Sequence, residues 1–199
     1  MDTEYPFHTA FLLVFMAILG IRMYYHGYAD ATSGVKQTTK GEGAFRALRP
    51  IIGLPLLACY VAYILWPPWM AWAQFPLDPM FRWIGLGLSI VGVVFLAWIQ
   101  KHLSRNFTGT VQIRPGGHVV TTGPYAYVRH PMYACFLLLA IGTLLLTANW
   151  VMGGSFLLLI LLVIIVRTSI EEAALEKAYG EEYKKYKAKT GALFPRIFG

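Results

Sequence analysis

MYACFLLLAIGTLLLTANWVMGGSFLLLILLVIIV, residues 132–166, runs for 35 residues without one charged side chain. A membrane-crossing helix needs about 20 apolar residues, with a working range of roughly 17–25. The stretch is therefore too long for one crossing and just long enough for two. It divides at Ala148-Asn149, giving runs of about Met132–Thr147 and Trp150–Val166. The first is short, and it is kept because its partner lies directly behind it. Two helices joined by so little chain must be antiparallel neighbours. A closed barrel would need at least eight strands of about ten residues, and runs of this length do not suggest one.

Outward from this pair, three further apolar runs appear at about Phe7–Tyr25, Ile51–Ala73 and Trp83–Gln100. The composition agrees: of 199 residues, 57% are hydrophobic and 14% charged, and the mean hydropathy is +0.53. Soluble domains carry roughly 25% charge. The expected class is an all-α integral membrane protein with five transmembrane helices, in a single domain over 1–199. The first run opens with Asp2 and Glu4 rather than a basic region, and no small-residue cleavage pattern follows. It is expected to be a helix and not a leader. Pro67-Pro68 interrupts the second run, with Trp66, Trp69 and Trp72 as interfacial anchors. Gly85, Gly87 and Gly92 in the third have no preceding strand to make a nucleotide loop, so they are read as helix-packing positions. Cys59 and Cys135 lie in apolar runs and offer neither a disulfide framework nor a metal site.

Charge orients the helices. Fifteen of the 17 Lys and Arg fall in Tyr28–Pro50, Lys101–His130 and the tail from Arg167. Arg82 lies on the opposite side, and Arg22 can snorkel from the end of the first helix. The positive-inside rule then puts the N-terminus outside and the C-terminal tail in the cytosol. The net charge of +7 is explained by orientation and anionic headgroups, with no nucleic acid partner. No internal repeat suggests an inverted-repeat transporter.

Polar residues gather in two cytosolic pieces. One runs from Lys101 through His118-Val119 and Gly123-Pro124-Tyr125 to Arg129-His130-Pro131-Met132-Tyr133. Pro131 suits the first turn of a helix, where its missing N–H costs nothing, and a helix start flanked by Arg129 and His130 favours a carboxylate or phosphate. The other piece is Arg167-Thr168-Ser169-Ile170-Glu171-Glu172, after which a helix carries Leu175, Tyr179, Tyr183 and Tyr186. Arg167 and Glu171 stand four apart and share a helix face. Singly, these residues read as interfacial anchors, a solvated face and a helix cap. The short connection between the fourth and fifth helices brings both pieces to one place near the membrane, where unpaired charge is costly and tends to be functional.

Gly123-Pro124-Tyr125, the run Arg129 to Tyr133, Arg167 with Glu171-Glu172, and Gly180-Glu181-Glu182-Tyr183 with Tyr186 together resemble the isoprenylcysteine carboxyl methyltransferase family. More broadly they resemble the integral membrane methyltransferases that include phospholipid N-methyltransferases. The resemblance covers about Lys101–Pro195. It implies an S-adenosylmethionine site, with S-adenosylhomocysteine as product, formed by the cytosolic loop and the C-terminal helix. Carried over residue by residue, it implies His118, Val119, Gly123 and Tyr125 around this cofactor. It implies Arg129, His130, Tyr133 and Glu172 there as well. Arg167 and Glu171 are then the catalytic pair beside the methyl acceptor, with no metal. The implied acceptor is the α-carboxylate of a prenylated cysteine or a similar lipophilic molecule. Phospholipid N-methylation and thiol S-methylation stay open, and so does a non-enzymatic carrier or assembly role.

Overall fold

The computed structural model describes residues 4–33, 44–103 and 119–196, without the side chains of 29–33 and 44–53. The elements are α1 (Tyr5–Ser33), α2 (Ala44–Leu65), α3 (Pro79–Leu103), α4 (Pro131–Thr147), α5 (Ser155–Tyr179) and α6 (Glu181–Lys189). Short 3-10 segments cover Pro67–Ala73 and Gly123–Ala126, and a π turn at Trp150–Gly154 leads directly into α5. No strand occurs among the described residues, apart from two isolated bridges. Three helical stretches are long and apolar enough to cross a membrane: Tyr5–Tyr28, Pro79–Leu103 and Trp150–Tyr179. Leu54–Leu65 and Pro131–Thr147 are shorter apolar helices. Leu13, Met16, Leu57, Val94 and Ile165 are exposed on the outside of the bundle, as expected where lipid and not water is the solvent. The chain is a multi-pass membrane protein.

The helices outrun their apolar cores. The first begins at Tyr5 and reaches Ser33, the third adds residues at both ends, and the fifth continues from the π turn to Tyr179, well beyond Val166. Hydropathy marks the lipid-soluble part of a helix, whereas backbone hydrogen bonding carries on into the polar flank. The second differs in kind. Pro67-Pro68 ends α2 at Leu65, Trp66 turns extended, and the remainder to Ala73 winds as a 3-10 segment. Two successive residues without an N–H, each excluding the helical conformation before it, suffice for that break.

α3 and α4 form the most extensive contact, with α1 against both and α5 against α4. Small residues permit the close approach. A Cβ at Gly85 would lie 2.5 Å from the Leu146 nitrogen, one at Gly92 2.5 Å from Leu139, and one at Gly142 2.5 Å from the Ser89 hydroxyl. Gly87 has nothing within 4 Å and takes no part in this packing, because it lies off the three-and-four stripe that faces α4. Cys135 contributes its thiol to the Gly92 carbonyl at 3.3 Å, and both cysteines are free.

The end of the bundle carrying Glu4 is tightly tied. Arg82, 5% exposed, donates to both Glu4 oxygens at 2.6 and 2.9 Å and to the Leu146 carbonyl at 3.1 Å. Its guanidinium also sits 3.9 Å from the centre of the Phe7 ring. Ala148, with φ 46°, turns the chain from α4 into the π turn. Asn149 is fully buried there. Its side-chain oxygen accepts from the Val151 and Met152 nitrogens, and its Nδ2 donates to the Met70 carbonyl at 2.9 Å. One side chain thus caps the last membrane helix and fastens it to the 3-10 segment.

Candidate active site

At the opposite end of the bundle, four separate pieces of chain meet. α4 starts at Pro131 just after Arg129-His130. α5 runs past them with Arg167, Glu171 and Glu172. Gly180, at φ 52°, breaks the helix so that α6 turns away. The segment beyond α6 then folds back, Gly191 bridging Val128 in parallel, with Arg129 N donating to Gly191 O and His130 N to Ala192 O, both at 2.9 Å.

The side chains form a continuous ionic network. Arg129 donates through Nε to Glu172 at 2.8 Å and through Nη1 to the carbonyls of Lys187, at 3.2 Å, and Thr190. The other Glu172 oxygen accepts from Lys187 Nζ at 2.8 Å, and Lys187 also reaches Glu176 at 2.7 Å. His130 lies between the carboxylates, Nε2 3.4 Å from Glu172 and Nδ1 3.6 Å from Glu171. Its ring stacks on Tyr133 with centroids 5.4 Å apart. Tyr133 donates its hydroxyl to Glu171 at 2.6 Å, and the same carboxylate oxygen lies 3.3 Å from Arg167. Tyr186 donates to the Tyr125 carbonyl at 2.6 Å and approaches that of Val128, fastening α6 to the Gly123–Ala126 turn.

Burial governs the titration of this end. It holds the His130 imidazole below its usual value, against the pull of Glu171 and Glu172 and with a push from Arg129. It drives the Tyr186 phenol up to about 12 and raises those of Tyr125 and Tyr183. Bonds to Glu172 and Glu176 raise the ammonium of Lys187.

The structure brings together Arg129, His130, Tyr133, Arg167, Glu171 and Glu172, as the tight α4–α5 connection led one to expect. Gly123 and Tyr125 flank them on the 3-10 turn, and Val119 is buried just upstream. Gly123 holds φ 59°, and a Cβ there would drive into the His102 ring. His118 lies outside the described residues. Two members of the network carried no sequence signal. Lys187 and the Thr190 carbonyl enter only because the tail returns on α5. Gln100, at the end of the expected third apolar run, carried no such signal either, although it continues the three-and-four spacing of the buried face of α3.

This end also contains most of the unsatisfied chemistry. Among the described residues, five buried side-chain atoms have no hydrogen-bond partner: Tyr63 Oη, both amide atoms of Gln100, Thr168 Oγ1 and Tyr183 Oη. Gln100 closes the site-end of α3, Thr168 lies between Arg167 and Glu171, and Tyr183 belongs to α6. Native interiors contain few such groups, and each calls for an explanation.

Residues 83–177 match the model of the isoprenylcysteine carboxyl methyltransferase (ICMT) family. The resemblance drawn from the motifs between Gly123 and Glu172 is borne out over that stretch, and the Gly180–Tyr186 motif lies beyond it. A protein-S-isoprenylcysteine O-methyltransferase of Schizosaccharomyces pombe is 39% identical over 79 residues, covering 40% of this chain and 34% of the relative. The Homo sapiens protein of that name is 33% identical over 142 residues, covering 65% and 50%. A probable protein-S-isoprenylcysteine O-methyltransferase of Oryza sativa subsp. indica is 30% identical over 117 residues, covering 58% and 61%. The chain thus spans between 34% and 61% of the length of these relatives. In fold it is similar to a solved structure of the eukaryotic intramembrane Ras methyltransferase ICMT. The TM-score is 0.59 at 23% identity, covering 92% of this chain and 67% of that one.

Proposed function

We propose that this chain, with the ICMT family pattern across residues 83–177 as its premise, is an S-adenosylmethionine-dependent methyltransferase. Its acceptor is the α-carboxylate of a prenylated cysteine or a similarly lipophilic molecule at the membrane surface. The observation that carries this reading is Glu171. One carboxylate joins Tyr133 of α4 to Arg167 of α5, so that a cationic group is held in place beside the Arg129–Glu172 network.

Val119, Gly123 and Tyr125 would line the cofactor's apolar portion, with His118 contributed from the preceding segment. Arg129, His130, Tyr133 and Glu172 would hold its polar portion. S-adenosylmethionine supplies, when bound, a sulfonium methyl electrophilic enough for an oxygen acceptor. A carboxylate acceptor is already ionised at neutral pH, so this chain needs no general base for it. What its residues must do is orient and exclude water. Arg167 orients the acceptor carboxylate through its guanidinium, and Glu171 keeps Arg167 from swinging to solvent. Tyr133, donating to Glu171, fixes the carboxylate that fixes the arginine.

In this reading all five long helices cross the membrane in one domain, with the N-terminus outside and the site in the cytosolic leaflet. The polar cofactor arrives from the cytosol and the lipophilic acceptor sideways from the bilayer. The test uses detergent-purified protein with S-adenosylhomocysteine by calorimetry, followed by transfer of labelled methyl to N-acetyl-S-farnesylcysteine. Micromolar binding and a base-labile methyl ester are expected. A folded protein that binds no S-adenosylhomocysteine would overturn the reading. Methylation of phosphatidylethanolamine instead would overturn the acceptor alone.

A further inference from the structure

Gln100 is 1% exposed, and among the described residues neither its amide oxygen nor its amide nitrogen has a partner. Its place in the bundle follows from helix register. The buried residues of α3 are Arg82, Gly85, Ser89, Gly92, Leu96, Ile99 and Gln100, a three-and-four stripe that faces α4. Along it Gly85 meets Leu146, Ser89 meets Gly142 and Gly92 meets Leu139. Each of these pairs keeps one antiparallel register. Carried two turns further, that register sets Gln100 opposite Pro131, the first residue of α4. The orphaned amide therefore stands at the start of the 17-residue helix whose flank carries Arg129 and His130.

Its neighbours on α3, Leu96 and Ile99, enter an apolar cluster with Cys135 and Leu139, and Tyr125 and Met132 pack against that cluster. The ionic groups of the site gather on the α5 and α6 side of the α4 start. A zwitterion would lose its hydration among these apolar neighbours without recovering it. A flat heterocycle with apolar faces and a neutral polar edge would not. A primary amide presents one acceptor and one donor side by side in a plane, the pairing by which glutamine and asparagine read adenine in nucleic acids.

We propose that Gln100 reads the adenine edge of the bound cofactor and sets the base specificity of the site. Its amide oxygen accepts from the 6-amino group and its amide nitrogen donates to the adjoining ring nitrogen. The inference rests on the cofactor reading above and deepens it. In the free protein the amide is unsatisfied, and ligand binding completes it.

The test is calorimetry on the whole detergent-purified protein with S-adenosylhomocysteine and with its counterpart lacking the 6-amino group, together with thermal unfolding of the ligand-free protein. The wild type is expected to bind the adenine compound roughly tenfold or more tightly, since the analogue leaves a buried acceptor unpaired. Gln100→Leu is expected to bring the two affinities within about twofold, mainly by weakening the adenine compound, and to melt at a higher temperature without ligand. Gln100→Met, closer in shape, serves should the leucine variant misfold. A wild type that does not discriminate, a variant that keeps the wild-type ratio, or a lower ligand-free melting temperature in both variants overturns the proposal. Failure of the wild type to bind S-adenosylhomocysteine at all overturns the cofactor reading and this inference with it.

Discussion

Both ends of the bundle hold an arginine against a glutamate, and they use the pair in opposite ways. At the Glu4 end, Arg82 spends its donors on one carboxylate and one helix carbonyl, while Asn149 satisfies two nitrogens and a carbonyl from a fully buried position. Of the described orphan atoms only the Tyr63 hydroxyl falls in the cluster packed at that end. At the other end, Arg129 and Glu172 lie in a larger network that gathers α4, α5, α6 and the returning tail. There Gln100, Thr168 and Tyr183 stay unpaired. Among the described orphan atoms, one lies at the first end and four lie at the other.

Substitutions that separate binding from stability can break this contrast. The largest effect is expected from Arg167→Ala. Methyl transfer should fall by about a hundredfold or more, while affinity for S-adenosylhomocysteine stays within a few-fold. The melting temperature should hardly move, because a partly exposed i,i+4 pair contributes only about 0.3–0.5 kcal/mol. Equal loss of activity and cofactor affinity would count against its placement beside the acceptor.

Arg129→Ala should cost about 3 kcal/mol of stability, since it strips a largely buried carboxylate of one of its two cations at 2.8 Å and two carbonyls of a donor. Limited proteolysis should then cut near α6 first. Arg82→Ala should cost about 2 kcal/mol by freeing the Leu146 carbonyl and Glu4, with S-adenosylhomocysteine affinity unchanged. A binding defect in that variant would erase the distinction between the two ends. Asn149→Ala should cost about 1 kcal/mol in thermal unfolding, the ordinary worth of a cap.

The smallest effect is a matter of sign. Because burial keeps the folded His130 below the ordinary value of 6.5, the unfolded chain takes up its proton first as pH falls. Stability is then full above about pH 6.5 and declines below it. The decline should be shallower in His130→Gln, measured as melting temperature at pH 7.5 and 5.5. An equal slope in both proteins would assign it to other groups.

Much of this arrangement was legible because it is local or follows from counting. The uncharged run 132–166 can only be a helical pair, so the meeting of Tyr133 with Glu171 followed from a two-residue connection. The Arg167–Glu171 contact is helix periodicity. The Pro67-Pro68 break is backbone chemistry, although only the structure shows that α2 ends there and does not bend. What stayed hidden depends on chain that returns from afar. Nothing in the sequence around Arg129 announces that carbonyls of Lys187 and Thr190 will close upon it. Gln100 was hidden for another reason. It stands where the apolar run gives way to Lys101 and His102, and its burial depends on the register between α3 and α4, which composition does not encode.

The Ala148–Asn149 connection has a mechanical side. From that vertex α5 extends about 30 Å to Glu171, at 1.5 Å per residue. A rotation of only about ten degrees about the vertex would carry Glu171 roughly 5 Å away from Tyr133. The Asn149 clamp leaves the near end of this lever almost no travel. Any slack between α4 and α5 is therefore delivered, magnified by length, to the place where Arg167 is held.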